Sequence, residues 1–309
     1  MTDADPTVLF IGGAGRSGST LLECMLGEVP GVVAAGEVTH LWDRGLMEDQ
    51  LCGCGRPFSE CLFWRDVMDR AFADGLPDTP EGLMRLKRRA LSVLRGPFSA
   101  GARRRYAGLL VSLYRAIADV AGARVVVDSS KYPPEAYLLR GAVRAQGLGV
   151  RFVHLVRDPN AVVYSWQRTR VRPEIHDRRA HMPRYPWWQT TAAWVTYNAL
   201  FDLLARLQPG AVLRVQYDEL MADAAGAVRR ITAHAGLEAP RLDFIRDHEV
   251  ALGANHTVSG NPSRFRTGPV ELRPDTEWRE QAPRWQVRAV EALTVPQRLA
   301  YGRARRGAP

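Results

Sequence analysis

The 309-residue chain is expected to be an α/β protein, a parallel β-sheet flanked by helices. Short β-branched runs alternate with longer amphipathic segments, and parallel strands need such helical crossovers. A glycine-rich turn, FIGGAGRSGSTLLECML at 10–26, follows the first run and leads into a helix. Charged residues recur just after the strand candidates, where sheets of this kind bind ligands.

The elements follow in order. Residues 7–12 are β-branched and aromatic before glycines, hence a buried strand, and 18–28 continue as a helix. A second strand covers 32–35. From 40 to 122 the periodicity is helical, with 83–94 and 103–120 amphipathic, and about 41–122 reads as a helical insertion. A strand at 124–127 ends at Asp-Ser-Ser-Lys, and Pro133 and Pro134 open a helix to about 145. A strand at 150–156 precedes Asp158-Pro159, a cap followed by a first-turn proline, which starts a helix to about 170. A helix at 187–207, a strand at 211–215 and a helix at 218–235 come next. Beyond 249 lies a Gly/Asn/Pro/Arg loop and then a short C-terminal helix. The whole chain, 1–309, is expected to form a single domain.

Composition narrows the function classes. A hydrophobic fraction of 46% is ordinary for a globular protein. The formal charge of +9 suggests a polyanionic partner, but the basic residues are spread along the chain without a clustered basic helix. A small anionic ligand is therefore expected, and no nucleic acid. The N-terminus is acidic, the apolar run 8–11 is too short for a signal, and 108–127 is interrupted by Arg115, Asp119 and Arg124. No membrane span and a cytoplasmic location are expected. Lys87 and Lys131 are the only lysines, so each marks a place where a compact ammonium is used instead of a guanidinium.

Cys52, Cys54 and Cys61 cluster in LCGCGRPFSEC, while Cys24 lies on the apolar face of the first helix. Three thiols lack an obvious fourth metal ligand, with His40 the nearest candidate. A thiol cluster or an occasional disulfide is preferred to zinc, and no metal ligands are assigned.

The glycine-rich turn is the main functional signal. A nucleoside-triphosphate loop reads G-x-x-x-x-G-K-[ST]; Gly13, Gly18 and Thr20 keep that spacing, but Ser19 replaces the lysine and Arg16 lies inside the loop. The turn from Gly15 through Arg16, Ser17, Gly18, Ser19 and Thr20 still offers backbone N–H groups and a helix N-terminus to an anionic ester. Without the lysine a triphosphate loses its main counter-charge, so a shorter anhydride fits better.

GRSGSTLL after a strand, together with RFVHLVRDPNAVVYSW at 151–166, resembles the sulfotransferases that use 3′-phosphoadenosine 5′-phosphosulfate. The resemblance takes in Gly36-Glu37, the run 128–131 and VQYDEL at 215–220, and implies a P-loop-like sulfotransferase fold. It implies that the first motif holds the 5′-phosphosulfate and that Arg157 and Ser165 grip the 3′-phosphate. Gly36-Glu37 is similar to the pair that carries the base in tyrosylprotein sulfotransferases, which makes Glu37 the expected general base. Cytosolic aryl enzymes use histidine instead, so His40 and His256 stand as rivals. Lys131 and Arg16 are expected to stabilise charge on the leaving phosphate, with no metal required. A basic C-terminal segment, about 250–275, is expected to cover the nucleotide, Arg264 and Arg266 reaching the 3′-phosphate.

The product would be adenosine 3′,5′-bisphosphate, and the acceptor a small-molecule or glycan hydroxyl. Tyr185, Trp187, Trp188 and Trp194 are candidates to stack on it, although helical spacing favours core positions for two of the tryptophans. The alternative is a P-loop kinase using magnesium-ATP, with Asp128 and Thr20 holding the metal.

Overall fold

The structure, a computed structural model, describes residues 5–92, 99–176, 179–238 and 240–306. Its centre is a parallel five-stranded sheet: β1 (Thr7–Gly12), β2 (Val32–Gly36), β3 (Val125–Lys131), β4 (Gly149–Val156) and β5 (Val212–Gln216), ordered β2-β3-β1-β4-β5. The pleat sends Val8 and Phe10 of β1 into one core and Leu9 and Ile11 into the other. Burial on both faces is why the strand reads as an unbroken apolar run.

The helices are α1 (Ser19–Gly27), α2 (Leu62–Ala71), α3 (Pro80–Ala90), α4 (Ala100–Ala121), α5 (Pro133–Gln146) and α6 (Pro159–Gln167). They continue as α7 (Trp187–Leu207), α8 (Tyr217–Ala222), α9 (Ala224–His234), α10 (Trp278–Gln281) and α11 (Arg284–Arg306). Between β2 and β3 lie a π-helical segment, Leu41–Met47, and then α2, α3 and α4. Part of the expected 83–94 helix falls at 93–94, outside the described residues. Among the described residues no helix is long and apolar enough to cross a membrane.

Four expectations are corrected. The strand expected at 124–127 runs on through the Asp-Ser-Ser-Lys run to Lys131. The helix expected at 218–235 is two, because the Asp223 carboxylate accepts from Gly226 N at 2.8 Å and caps a new start. The segment around 249 folds into an antiparallel sheet of β6 (Ile245–Arg246), β7 (Glu249–Leu252) and β8 (Gly268–Glu271). The C-terminal helix runs 23 residues through Pro296; its charge-rich sequence and that proline hide the buried stripe of Gln286, Val290, Thr294 and Tyr301.

Two register shifts aim the site. β3 slips against β1 between Phe10 and Gly12, and against β2 between Ala34 and Gly36. Both fall at the carboxyl end of β3, where such irregularities redirect side chains. Lys131 there has φ 65°, a left-handed conformation that turns its ammonium toward the end of β2.

Candidate active site

The carboxyl ends of the strands open into one cavity of about 770 Å³. Successive crossovers from β1 and β3 leave in opposite directions, so the crevice at β1 is the switch point at which open α/β sheets bind ligands. Gly15, Arg16, Gly18, Ser19 and Thr20 line it from the loop between β1 and α1. Glu37 enters from the end of β2, Lys131 from β3, and Arg157 with Ser165 from β4 and α6.

The loop is built around backbone that glycine tolerates best. Gly18, just before α1, has φ 93°, and a Cβ there would come within 2.7 Å of the Tyr217 ring. Arg16 holds φ 70°, and its guanidinium lies 4.6 Å above Trp166 while donating to Met182 Sδ at 2.9 Å. Burial, and then the charge of Arg170, push Arg16 down to about 10, against the pull of Glu37 and Glu174. Ser17 is buried and, unlike its neighbours in the turn, does not line the cavity; its hydroxyl has no hydrogen-bond partner among the described residues.

Glu37 is the most tightly held carboxylate of the cavity wall. Lys131 Nζ donates to its Oε1 at 2.6 Å and to Ser129 O at 2.6 Å. His40 Nε2 lies 3.7 Å and Arg44 Nη1 4.0 Å from Glu37 Oε2, and Ser259 Oγ donates to the same oxygen at 3.4 Å. Burial pushes the carboxyl up, but Lys131, His40 and Arg44 overcome it and hold it at about 2. Glu37 N donates to Val258 O at 2.8 Å, which fixes its backbone against the C-terminal segment. His40 also faces the Asp43 carboxylate through Nδ1 at 3.0 Å, leaving Nε2 toward Glu37.

Arg157 lies on the opposite side of the loop. Its guanidinium donates to Arg16 O at 2.9 Å and to Asp275 Oδ2 at 2.9 Å, and it stacks 4.3 Å over the Tyr217 ring. Trp194 Nε1 donates to Arg157 O at 3.0 Å, locking the main chain where β4 ends. Arg170 is pushed down by burial and then by Arg168, Arg157 and Arg266, with Asp275 opposing them. Several guanidiniums thus crowd around one carboxylate, an arrangement suited to a doubly charged oxyanion. Arg170 and Asp275 carry no sequence signature, and Tyr217, although it lies in the VQYDEL run, was given no role; only the fold brings them to Arg157.

Arg264 is a correction. It is fully buried, outside the cavity, with Nη2 donating to Leu51 O at 2.6 Å and Nη1 to Thr257 O. A 3′-phosphate role is not open to it, whereas Arg266 does line the cavity. Arg264 lies within a 3-10 turn, Pro262–Phe265, and Arg266 just beyond it in extended backbone, so two arginines two residues apart meet different surroundings, which composition cannot foresee. His256 is also outside the cavity, among the thiols of Cys52 and Cys61, so it is not a base. Asp128 is fully buried and accepts from Tyr114 Oη at 2.5 Å and Ser130 N at 2.8 Å, turned away from the cavity in which the kinase alternative needs it. Of the aromatic candidates, Tyr185 and the buried Trp194 line the cavity, while Trp187 packs on Trp285 at 5.7 Å and Trp188 is exposed.

Glu23 of α1 is a support that the sequence reading missed. Its Oε1 accepts from Gly36 N and its Oε2 from Ser129 Oγ, each at 2.6 Å, tying the ends of β2 and β3 together beneath Glu37 and Lys131. Burial pushes its carboxyl up to about 8, so it is mostly protonated at neutral pH.

The model of the sulfotransferase family matches residues 148–241, the stretch that carries β4, Arg157, Ser165 and β5. No curated protein sequence matches the chain. Among solved structures the chain is similar to the sulfotransferase domain of the Synechococcus PCC 7002 olefin synthase, at 21% identity over 95% of this chain and 97% of that one, with a TM-score of 0.52. It is also similar to the sulfotransferase domain from the curacin biosynthetic pathway, at 15% identity over 94% and 98%, with a TM-score of 0.48. Over 148–241 the chain carries the sequence pattern of the sulfotransferase family, and it is built on the sulfotransferase fold.

Proposed function

We propose that this protein is a sulfotransferase that moves the sulfuryl group of 3′-phosphoadenosine 5′-phosphosulfate to the hydroxyl of a small-molecule or glycan acceptor. The observation that carries the reading is the convergence of Arg16, Glu37, Lys131 and Arg157, from four strand ends, on one cavity above a P-loop that lacks its lysine. The residues present fit the donor. The cavity-lining turn Gly15, Arg16, Gly18, Ser19 and Thr20 at the N-terminus of α1 suits its 5′-phosphosulfate, and Arg157, Ser165 and Arg266 suit its 3′-phosphate.

In this reading Glu37 takes the proton from the acceptor hydroxyl as that oxygen bonds to sulfur. Lys131 and Arg16 neutralise the charge left on the departing phosphate oxygen when its bond to sulfur breaks. Lys131 has two tasks, since its ammonium now rests on Glu37 at 2.6 Å. Whenever it turns toward an anionic ligand, Glu37 loses its main counter-charge and becomes a stronger base where a proton must be taken. A second reading rests on the 3.0 Å contact of His40 with Asp43, which presents Nε2 as an oriented base.

The test is calorimetric titration with adenosine 3′,5′-bisphosphate and, separately, with magnesium-ATP. Micromolar or tighter binding of the bisphosphate with excess chelator present is the expected result. Binding of magnesium-ATP alone would refute the donor assignment.

A further inference from the structure

The geometry points to a zinc site made by Cys52, Cys54, Cys61 and His256, which clasps the start of the helical insertion to the segment that backs the Glu37 wall. Cys61 Sγ lies 3.6 Å from Cys52 Sγ, 3.8 Å from Cys54 Sγ and 3.3 Å from His256 Nδ1, and Cys52 Sγ lies 3.9 Å from the same nitrogen. All four donor atoms fall within 4.8 Å of one another. A tetrahedral ion with Zn–S near 2.3 Å and Zn–N near 2.0 Å sets its ligands about 3.8 Å apart for sulfur pairs and about 3.5 Å for sulfur and nitrogen. The four contacts made by Cys61 Sγ and by Cys52 Sγ with His256 are therefore close to those of a tetrahedral shell, with Cys52, Cys54 and His256 gathered around them. All four cysteines of the chain are free thiols.

Donor chemistry selects the metal. Three thiols and one imidazole are soft to borderline ligands that favour zinc over magnesium or calcium. Four protein ligands close the shell, which marks a structural ion rather than a catalytic one. The surroundings suit thiolates. Cys61 immediately precedes α2, at the positive end of that helix. Cys52 N donates to Arg56 O and Gly55 N to Cys52 O, each at 2.8 Å, folding the Cys-Gly-Cys turn tightly. The His256 ring is held in place from outside the cluster, stacked on Phe63 at 4.8 Å and 15°, with Trp64 Nε1 donating to its carbonyl at 2.7 Å. His40, the fourth ligand the sequence suggested, is occupied by Asp43 and Glu37 instead.

The place of the clasp gives it a purpose. Residue 256 leads directly into Val258, paired with Gly36, and Ser259, which donates to Glu37. Two residues later Asn261 N donates to Thr20 Oγ1 at 3.2 Å, joining the same segment to the P-loop. Gly53 N donates to Thr257 O at 3.0 Å, and Arg264 spans Leu51 O and Thr257 O, so the turn and the segment are already laced together. A metal bond between them fixes the backing of the catalytic wall at a point more than 190 residues from the turn in sequence.

The test is metal content of the full-length protein purified without chelator from zinc-supplemented cells and measured by inductively coupled plasma mass spectrometry. About one zinc per chain is expected, kept in Cys24→Ser and reduced at least tenfold in Cys54→Ser and His256→Ala. If those variants do not fold, the wild type decides alone. A mercurial thiol reagent should release its zinc stoichiometrically, and cobalt loading should give the visible bands of a tetrahedral thiolate site. Less than about a tenth of an equivalent after incubation of the reduced protein with zinc, or an intact disulfide among the three cysteines in non-reducing peptide maps, would overturn the assignment. No substrate enters this measurement, so its outcome is independent of the donor and the acceptor.

Discussion

Replacing Glu37 by glutamine keeps the shape of the side chain and removes the charge that Lys131, His40 and Arg44 surround. The interval between about 2 and the ordinary 4.5 corresponds to about 3 kcal/mol in favour of the ionised form. The sign follows from the direction: a carboxylate held low stabilises the fold above its unfolded value and loses that contribution as pH falls through about 2. Glu37→Gln is therefore expected to unfold in urea with about 3 kcal/mol less stability at pH 7, a gap that shrinks to about 1 kcal/mol near pH 3. Turnover should fall by about 10²- to 10⁴-fold, the usual worth of a general base, while the affinity for adenosine 3′,5′-bisphosphate changes little. Equal stability at pH 7 would mean that Glu37 is not the charged centre of the wall. Turnover within a few-fold of wild type would move the base to His40.

Three further substitutions probe the rest of the site. Arg157→Ala removes a charged donor, and calorimetry should show bisphosphate affinity reduced about 10- to 100-fold; an unchanged affinity would remove the 3′-phosphate from this position. Gly36→Ala forces a side chain at φ 88° with its Cβ 2.3 Å from Val258 O, and should cost about 3 kcal/mol in urea unfolding through left-handed strain and the loss of the two backbone bonds at Val258. A variant as stable as wild type would show that the 258 segment is not fixed there. Glu23→Gln tests the raised carboxyl beneath the wall. Because Glu23 resists ionisation until about pH 8, its cost to the fold grows as pH rises from 4.5 to 8, and the glutamine protein should gain about 3 kcal/mol on wild type between pH 5 and pH 8. Parallel stability curves would mean that Glu23 is ionised in the fold.

The sequence by itself determined the parallel sheet, because β-branched runs and proline-opened helices are local signals read within a few residues. It located the loop from Gly15 to Thr20 and the groups at the strand ends for the same reason, since ligands in this architecture gather where strands stop. Tertiary structure decided everything that depends on residues far apart in the chain meeting. The pattern SRFR at 263–266 does not say which arginine turns inward, and packing sent Arg264 into the core and Arg266 to the cavity. Nothing near Arg157 foretells Asp275, which reaches it only because the C-terminal segment returns over the P-loop. Likewise the fourth ligand for the thiols could not be read from spacing. His40 is nearer in sequence, but His256 is nearer in space, because Val258 pairs with Gly36 and carries its neighbour to the cysteine turn.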